Sequence, residues 1–292
     1  MKENRNSKLI AFAFLFLLGL IWLIPIIWLI TNSFKFDADF ITSFAGITGP
    51  MDYLSRLIPE KWTLTNYTEL LFGGENVNTN ANIGLMFQNS FIVSGVVTIC
   101  TVLITSLSAF AYERLDFKGG DKIFWTLMYI SMFPNVVAIL PQFRIANALG
   151  WVNNLNALIW PSLAGVFNIF MIRNFMKSIP KALDEAATID GASSFQVYTK
   201  IILPSIAPVM IVVALFAFNG AWNDYLWPRI VMTDVNNQTL TAGLRLLMGQ
   251  YEQRWAHMIA SCIVSMVPPF VLYLCAQKYF LQGISVQAGV KG

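Results

Sequence analysis

The sequence predicts an all-α, polytopic membrane protein with six transmembrane helices. Of its 292 residues, 56% are hydrophobic and only 12% are charged, whereas a soluble domain carries about 25% charged residues. The apolar residues are gathered into six blocks, each close to the ~20 residues that a helix needs to cross a bilayer. The blocks are Leu9–Ile30, Phe87–Tyr112, Ile123–Pro141, Leu155–Ile172, Ile206–Pro228 and Met258–Leu281.

The first block is predicted to remain in the protein as a helix. It follows Lys2, Arg5 and Lys8, as the apolar part of a signal peptide follows its basic segment. However, its apolar run is too long for a signal peptide, and no small-x-small cleavage site follows it. With an even number of spans, both termini are expected on one side of the membrane.

The placement of lysine and arginine predicts which side that is. Twelve of the 19 basic residues lie on the side of the termini, and cytoplasmic loops carry an excess of such residues. Both termini and the loop 173–204 are therefore expected in the cytoplasm. The twelve are Lys2, Arg5, Lys8, Arg114, Lys118, Lys122, Arg173, Lys177, Lys181, Lys200, Lys278 and Lys291.

The longest loop, Thr31–Met86, is then expected outside the cell. It is rich in acidic residues and long enough to form short helices over the membrane surface. Its Gly73-Gly74 pair and the stretch Asn76–Asn82 are typical of an irregular turn region.

Composition argues against several classes of function. The net charge of +3 comes without a lysine- or arginine-rich run, so no nucleic-acid partner is expected. Cys100, Cys262 and Cys275 lie in apolar stretches without metal-ligand spacing, so neither a metal site nor a disulfide framework is predicted. Around His257, the only histidine, no acidic and serine or cysteine partners are evident. No catalytic site is therefore expected.

The loop between the fourth and fifth blocks is predicted to begin with a short helix. Pro180 suits a first helical turn, and Asp184 and Glu185 lie near the positive end of the helix. Gly191 can end the helix in a left-handed conformation.

A second short helix is expected to follow. Ser193 or Ser194 can cap it, and it is expected to end before the kink that Pro204 imposes. The two helices would form a rigid knob. The small side chains of Ala186 and Ala187 would let another protein approach closely, while a carboxylate meets a basic group.

This loop resembles the EAA motif of ATP-binding-cassette (ABC) importer permeases. Every defined position of that motif is present, in the order Glu185-Ala186-Ala187, Gly191, Ile201 and Leu203-Pro204. The resemblance implies a type I importer permease fold in which the segment Pro180–Ala192 is a coupling helix that docks on a separate ATPase. The coupling residues would be Leu183, Asp184, Glu185, Ala186, Ala187, Asp190 and Gly191.

Three further stretches are similar to the maltose-type carbohydrate branch of these permeases. They are Pro25-Ile26-Ile27-Trp28 with Ser33-Phe34-Lys35, the segment Trp222-Asn223-Asp224-Tyr225, and the glycine-rich tail Gly283 to Gly292. The resemblance implies that Val290, Lys291 and Gly292 contact the ATPase. The Thr31–Met86 loop is longer than is usual in this branch, so the resemblance does not identify the sugar.

The resemblance also implies a set of partners. These are a second, homologous permease subunit, two ATP-binding subunits, an extracellular sugar-binding protein and the lipid of a prokaryotic cell membrane. The chain lacks a Gly-x-x-x-x-Gly-Lys-Ser/Thr phosphate loop. ATP and magnesium are thus expected on the partner ATPase, and no cofactor or metal in this chain.

Polar residues within the predicted spans are candidates for the path of the solute, because such residues are costly to place in lipid. They are Asn89, Asn168, Asn219, Asn223 and Asp224, and Trp222 offers an aromatic face beside Asn219 and Asn223. A carbohydrate, in particular an oligosaccharide, could bind there. Hydrogen bonds between helices and an aromatic belt at the outer interface explain the same residues equally well.

The predicted organisation has three parts. Residues 1–86 form the N-terminal tail, the first span and the outer loop; residues 87–281 form the permease core with its loop 173–204; residues 282–292 form a cytoplasmic tail. Alternative cargoes are another neutral solute or a phosphosugar. An ion-driven secondary transporter would need more carboxylates within the spans than Asp224 alone.

Overall fold

The computed structural model describes residues 5–39, 49, 56, 58–72, 83–163, 165–250 and 255–289. Every regular element in these ranges is helical, so the predicted all-α class is confirmed. The main helices are α1 (Arg5–Ser33), α2 (Thr65–Phe72), α3 (Ile83–Arg114), α4 (Gly120–Ser131), α5 (Asn135–Ala148), α6 (Asn156–Ile159), α7 (Val166–Met176), α8 (Ala182–Ile189), α9 (Ser194–Val197), α10 (Leu203–Ser205), α11 (Ala207–Asn223), α12 (Leu226–Val231), α13 (Leu240–Gln250) and α14 (Trp255–Gly289).

Within the described ranges, five helical segments are long and apolar enough to cross a membrane. A sixth is obtained if α4 and α5, which meet at an angle of 98°, form one bent span. The five are Lys8–Ser33, Ile83–Arg114, Asn156–Met176, Ala207–Val231 and Trp255–Lys278.

The prediction that the third block, Ile123–Pro141, forms one continuous helix is wrong. Helix α4 ends at Ser131, and α5 begins at Asn135 after Pro134, whose ψ of 121° is not helical. Proline has no N–H to donate and pushes the residue before it out of the helical region. A proline within an apolar block therefore interrupts a helix that hydropathy alone predicts to be continuous.

Two other predicted spans are also interrupted. Between α6 and α7 lies a short 3₁₀ turn, Trp160–Ser162, followed by an extended Gly165. Between α11 and α12 the backbone is extended at Asp224. Non-helical backbone at membrane depth is stable only where protein or a water-filled cavity covers it.

One of two compact units comprises Met1–Asn80 and Leu244–Val267. In it, the Asn66 amide donates to the carbonyl oxygens of Ser33 and Lys35, each at 2.8 Å, satisfying acceptors at the end of α1 that have no helical partner. The buried Lys35 ammonium donates to the carbonyl of Arg56 at 2.6 Å, and burial lowers its pKa. The chain after α1 is therefore tied to α2 by buried polar contacts.

His257 of the same unit lies between two carboxylates, so the sequence-based view that it lacks acidic partners is wrong. Its Nδ1 is 3.3 Å from Oδ2 of Asp37, and its Nε2 is 2.8 Å from Oε2 of Glu69. The Ser261 hydroxyl donates to the His257 backbone carbonyl rather than facing its ring. Because the two acids are 220 and 188 positions away in the chain, local sequence could not reveal them.

The other unit comprises Ala81–Gly243 and Pro268–Gly292. Its central element is α3, which packs against α7 and α11. Small polar residues line the buried face of α3, among them Ser90, Ser94 and Thr101, and they permit close helix contacts in a membrane protein. This packing positions the loop between α7 and α11.

Candidate functional site

Helix α8 ends as the sequence predicts. Gly191 has a φ of +81°, which costs a glycine little because it has no Cβ. The N–H of Gly191 donates to the carbonyl of Thr188 and that of Ala192 to Ala187, the pair of bonds that defines a Schellman motif. The chain thereby turns sharply out of α8.

Ser193 then caps the second helix, as one of the two predicted serines. Its hydroxyl accepts the N–H of Gln196 and the Gln196 side chain accepts the N–H of Ser193, forming a capping box. The expected end before Pro204 is wrong. The chain passes from α9 through a π-helical turn, Tyr198–Ile202, directly into α10, and the wider turn accommodates a proline that cannot donate a hydrogen bond.

The inner side of α8 is anchored to the unit. Oδ2 of Asp184 is 3.1 Å from Nη1 of Arg114, and both side chains are largely buried. Ala187 packs against the apolar cluster that contains Val197 and Tyr198. Among the predicted coupling residues, Asp184 and Ala187 therefore hold the helix in place.

The outer side of α8 is exposed. Glu185, Ala186, Asp190 and Gly191 are exposed, and the apolar side chains of Leu183 and Ile189 are 48% and 87% exposed. Phe195 of α9, which the sequence reasoning did not single out, is 68% exposed. Leu183, Ile189 and Phe195 therefore leave three apolar side chains exposed on this loop.

A second arginine supports the base of this loop. The buried Arg173 donates from Nε to Glu113 at 3.0 Å and from Nη2 to Asp121 at 2.6 Å. Its guanidinium carbon also lies 4.5 Å from the ring centroid of Phe124. Three helices, α3, α4 and α7, thus meet at one cation, a contact that the sequence reasoning missed because its members are far apart in the chain.

The predicted path residues of α11 occupy different environments. Asn219 and Asn223 each donate to the carbonyl four residues earlier, at 3.1 and 3.0 Å, which leaves their side-chain oxygens as acceptors. Trp222 is 0% exposed and lies among Phe87, Phe91 and Phe218. Its indole is therefore part of the core in this conformation.

The path residues Asn168 and Asp224 lie near helix breaks. Asn168 is half-buried in the first turn of α7. Asp224 directly follows α11, at the point where the backbone becomes extended.

Asp224 also lines a cavity of about 430 Å³ beside the breaks in three helical segments. Asn135 and Gln142 of α5 and Ser162 of the 3₁₀ turn contribute the other polar groups, and Trp227 contributes an aromatic ring. None of the residues that line this cavity is basic. The sequence reasoning missed Asn135, Gln142 and Ser162 because the breaks that bring them together were not predicted.

Val290, Lys291 and Gly292 lie outside the described residues, as do Gly73, Gly74 and the stretch Asn76–Asn82. Among the described residues, no cluster of histidine, cysteine, aspartate or glutamate is arranged to hold a metal ion.

Comparisons with known proteins place this geometry in a family. Residues 83–286 match the model of the family described as "Binding-protein-dependent transport system inner membrane component". The chain is 32% identical to the trehalose/maltose transport system permease protein MalG of Thermococcus litoralis, over 99% of both chains. It is 30% identical to the arabinooligosaccharides transport system permease protein AraQ of Halalkalibacterium halodurans, over 97% of this chain and 95% of that one.

A third relative and a solved structure extend the comparison. The sn-glycerol-3-phosphate transport system permease protein UgpE of Salmonella typhi is 32% identical over 78% of this chain and 82% of its own length. A chain of a bacterial ABC transporter involved in the import of the acidic polysaccharide alginate superimposes with a TM-score of 0.76 and 20% identity, covering 96% of this chain and 99% of that one.

Proposed function

This chain belongs to the family of binding-protein-dependent transport system inner membrane components, and we propose that it forms half of the path by which an ABC importer moves a neutral oligosaccharide into the cell. The family expected from the EAA motif is thereby confirmed. The chain is a permease subunit of a carbohydrate transporter and not an enzyme.

The single observation that carries the proposed coupling role is the anchoring of α8. A buried ion pair between Arg114 and Asp184 fixes this helix from within, while Leu183 and Ile189 expose their apolar side chains. Such a knob suits docking into a groove of another protein, where apolar anchors contribute most of the binding energy. The ATPase is the partner that the family implies, and it would bind the ATP and magnesium.

The proposed assembly contains a second permease subunit, two ATPase subunits and an external sugar-binding protein. Both termini and the loop 173–204 would face the cytoplasm of a prokaryotic cell. Supporting this orientation, the basic residues Arg114, Lys118, Lys177 and Lys181 surround the loop.

The proposed path runs past Asn168, Asn219, Trp222, Asn223 and Asp224. The cavity beside Asp224 favours a neutral cargo, because its polar groups are amides, a hydroxyl and a carboxylate with no basic residue among them. A phosphosugar or an acidic polysaccharide would meet a like charge there and no cation to offset it. Hydroxyl-rich solutes can use amide donors and acceptors together.

Uptake by native cells tests the cargo. Removing this chain should abolish uptake of a labelled neutral oligosaccharide, with maltose, trehalose and an arabinooligosaccharide as probes, and should leave sn-glycerol-3-phosphate uptake unchanged. Loss of sn-glycerol-3-phosphate uptake alone would replace the neutral cargo with the phosphorylated one.

Side-chain replacement tests the path. Gln142→Leu and Asn223→Leu should each lower the rate of sugar uptake about three- to tenfold, the effect of losing one or two hydrogen bonds to a neutral group. Asn147→Leu is the matched control, because Asn147 is an exposed amide on α5 that does not line the cavity. Equal uptake by all three variants would remove both the cavity, which Gln142 lines, and Asn223 from the path.

A further inference from the structure

One face of α3 holds the loop that contains α8. Ser106, Phe110 and Arg114 follow each other at intervals of four residues, so they lie on the same side of the helix. We propose that Arg114 is a positioning residue that transmits the movement of α8 to α3, an inference that rests on the proposed coupling role of α8.

The first two residues of this face contact Tyr198. The Ser106 hydroxyl lies 2.8 Å from the Tyr198 hydroxyl, and this contact is buried. The ring centroids of Phe110 and Tyr198 are 5.2 Å apart. Because Tyr198 follows α9 directly, these contacts attach the second half of the loop to α3.

Arg114 attaches the first half. Its Nη1 binds the Asp184 carboxylate at 3.1 Å, and its Nη2 donates to the carbonyl oxygens of Met176 and Ile179, both at 2.9 Å. Met176 is the last residue of α7, where unpaired carbonyls favour a cation. One guanidinium thus joins the ends of α3 and α7 to the first turn of α8, which a lysine ammonium, lacking the planar fork, reproduces poorly.

The ion pair between Arg114 and Asp184 is not arranged to give the folded protein maximal stability. Arg114 Nε and Asp184 Oδ1 are buried and have no hydrogen-bond partner among the described residues. A buried ion pair is in general weak evidence for stability, because desolvation offsets much of the attraction. A role in fixing the orientation of α8 explains the pair better than a contribution to folding.

The other end of α3 holds the segment before α13. Asn89 donates to the carbonyl oxygens of Asn236 and Gln238, both at 3.1 Å, and the Ser90 hydroxyl accepts the N–H of Leu240 at 2.7 Å. From Asn89 to Arg114 the helix is about 38 Å long at 1.5 Å per residue, enough to cross a bilayer. A force on α8 therefore has a continuous helix along which to reach the opposite face.

The test compares Arg114→Met with wild type in the complete complex, purified with its ATPase and reconstituted into liposomes. Arg114→Met should retain the ATPase, since the exposed face of α8 is unchanged. It should clearly raise the number of ATP molecules hydrolysed per molecule of maltose or other transported probe. Lys118→Met, which removes an exposed basic residue nearby, should behave like wild type.

A conservative variant separates positioning from folding. Asp184→Asn keeps the size of the side chain and removes its charge, so the protein that reaches the membrane should show the same loss of coupling, including if Arg114→Met fails to reach it. Normal coupling in both variants, or loss of the ATPase from either, would overturn the inference. If wild type itself brings down no ATPase, it is the proposed function that fails.

Discussion

Ile189→Lys is expected to detach the ATPase and to reduce transport to background. Ile189 is 87% exposed, so its replacement removes no packing within this chain. Lysine is a better helix former than isoleucine, and a positive charge is favourable at the C-terminal end of α8. The expected loss therefore comes from the interface, where removing a buried apolar anchor costs 2 kcal/mol or more, about a thirtyfold weaker association.

The measurement is the amount of ATPase that co-purifies with the chain from detergent-solubilised membranes. Leu115→Lys is the matched control, because it places the same charge on another exposed apolar residue that precedes α4 and lies outside the loop 173–204. Unchanged ATPase recovery with Ile189→Lys would show that α8 is not the docking element.

Arg173→Met is expected to lower the stability of the protein strongly. It leaves the Glu113 carboxylate, which is 13% exposed, without its partner, and breaking a largely buried ion pair costs about 3–5 kcal/mol. Methionine keeps much of the apolar contact with Phe124, so the loss of stability comes mainly from the missing charge. Losing the contact with Asp121 adds less to the destabilisation, because this side chain is 75% exposed and water solvates it.

Thermal unfolding of the detergent-solubilised protein, followed by circular dichroism, measures this effect. The unfolding midpoint should fall clearly for Arg173→Met. It should recover in part when Glu113→Gln is added, because the second change removes the unpaired charge. A midpoint for Arg173→Met equal to that of wild type would show that this ion cluster does not hold α3, α4 and α7 together.

Much of the architecture could be predicted because it depends on local sequence. The apolar blocks Leu9–Ile30 and Phe87–Tyr112 fall within α1 and α3, since ~20 apolar residues in a row are stable chiefly as a membrane helix. The left-handed Gly191 and the Ser193 cap were likewise predictable, because each depends on residues only a few positions away.

The helix breaks were not predictable from hydropathy. The block Ile123–Pro141 has the average composition of a span, yet its helix is interrupted at Pro134. The next two blocks are interrupted in the same way, where the backbone is extended at Gly165 and at Asp224. The cavity with Asn135 and Gln142 depends on those breaks.

The ion pairs were hidden for a different reason. Arg173 and Glu113 are 60 positions apart, and His257 lies 220 positions from Asp37. A single sequence contains no signal of which distant helices meet, so the residues that anchor α8 and its base emerged only from the fold.

ATP-driven uptake by proteoliposomes tests the central claim most directly. The chain would be purified with its partners, reconstituted with ATP on the side of α8, and supplied on the other side with its sugar-binding protein and a labelled neutral oligosaccharide. Accumulation of the oligosaccharide should require ATP hydrolysis and persist without any ion gradient. Accumulation that follows a proton or sodium gradient and ignores ATP would contradict it and would identify a secondary transporter instead.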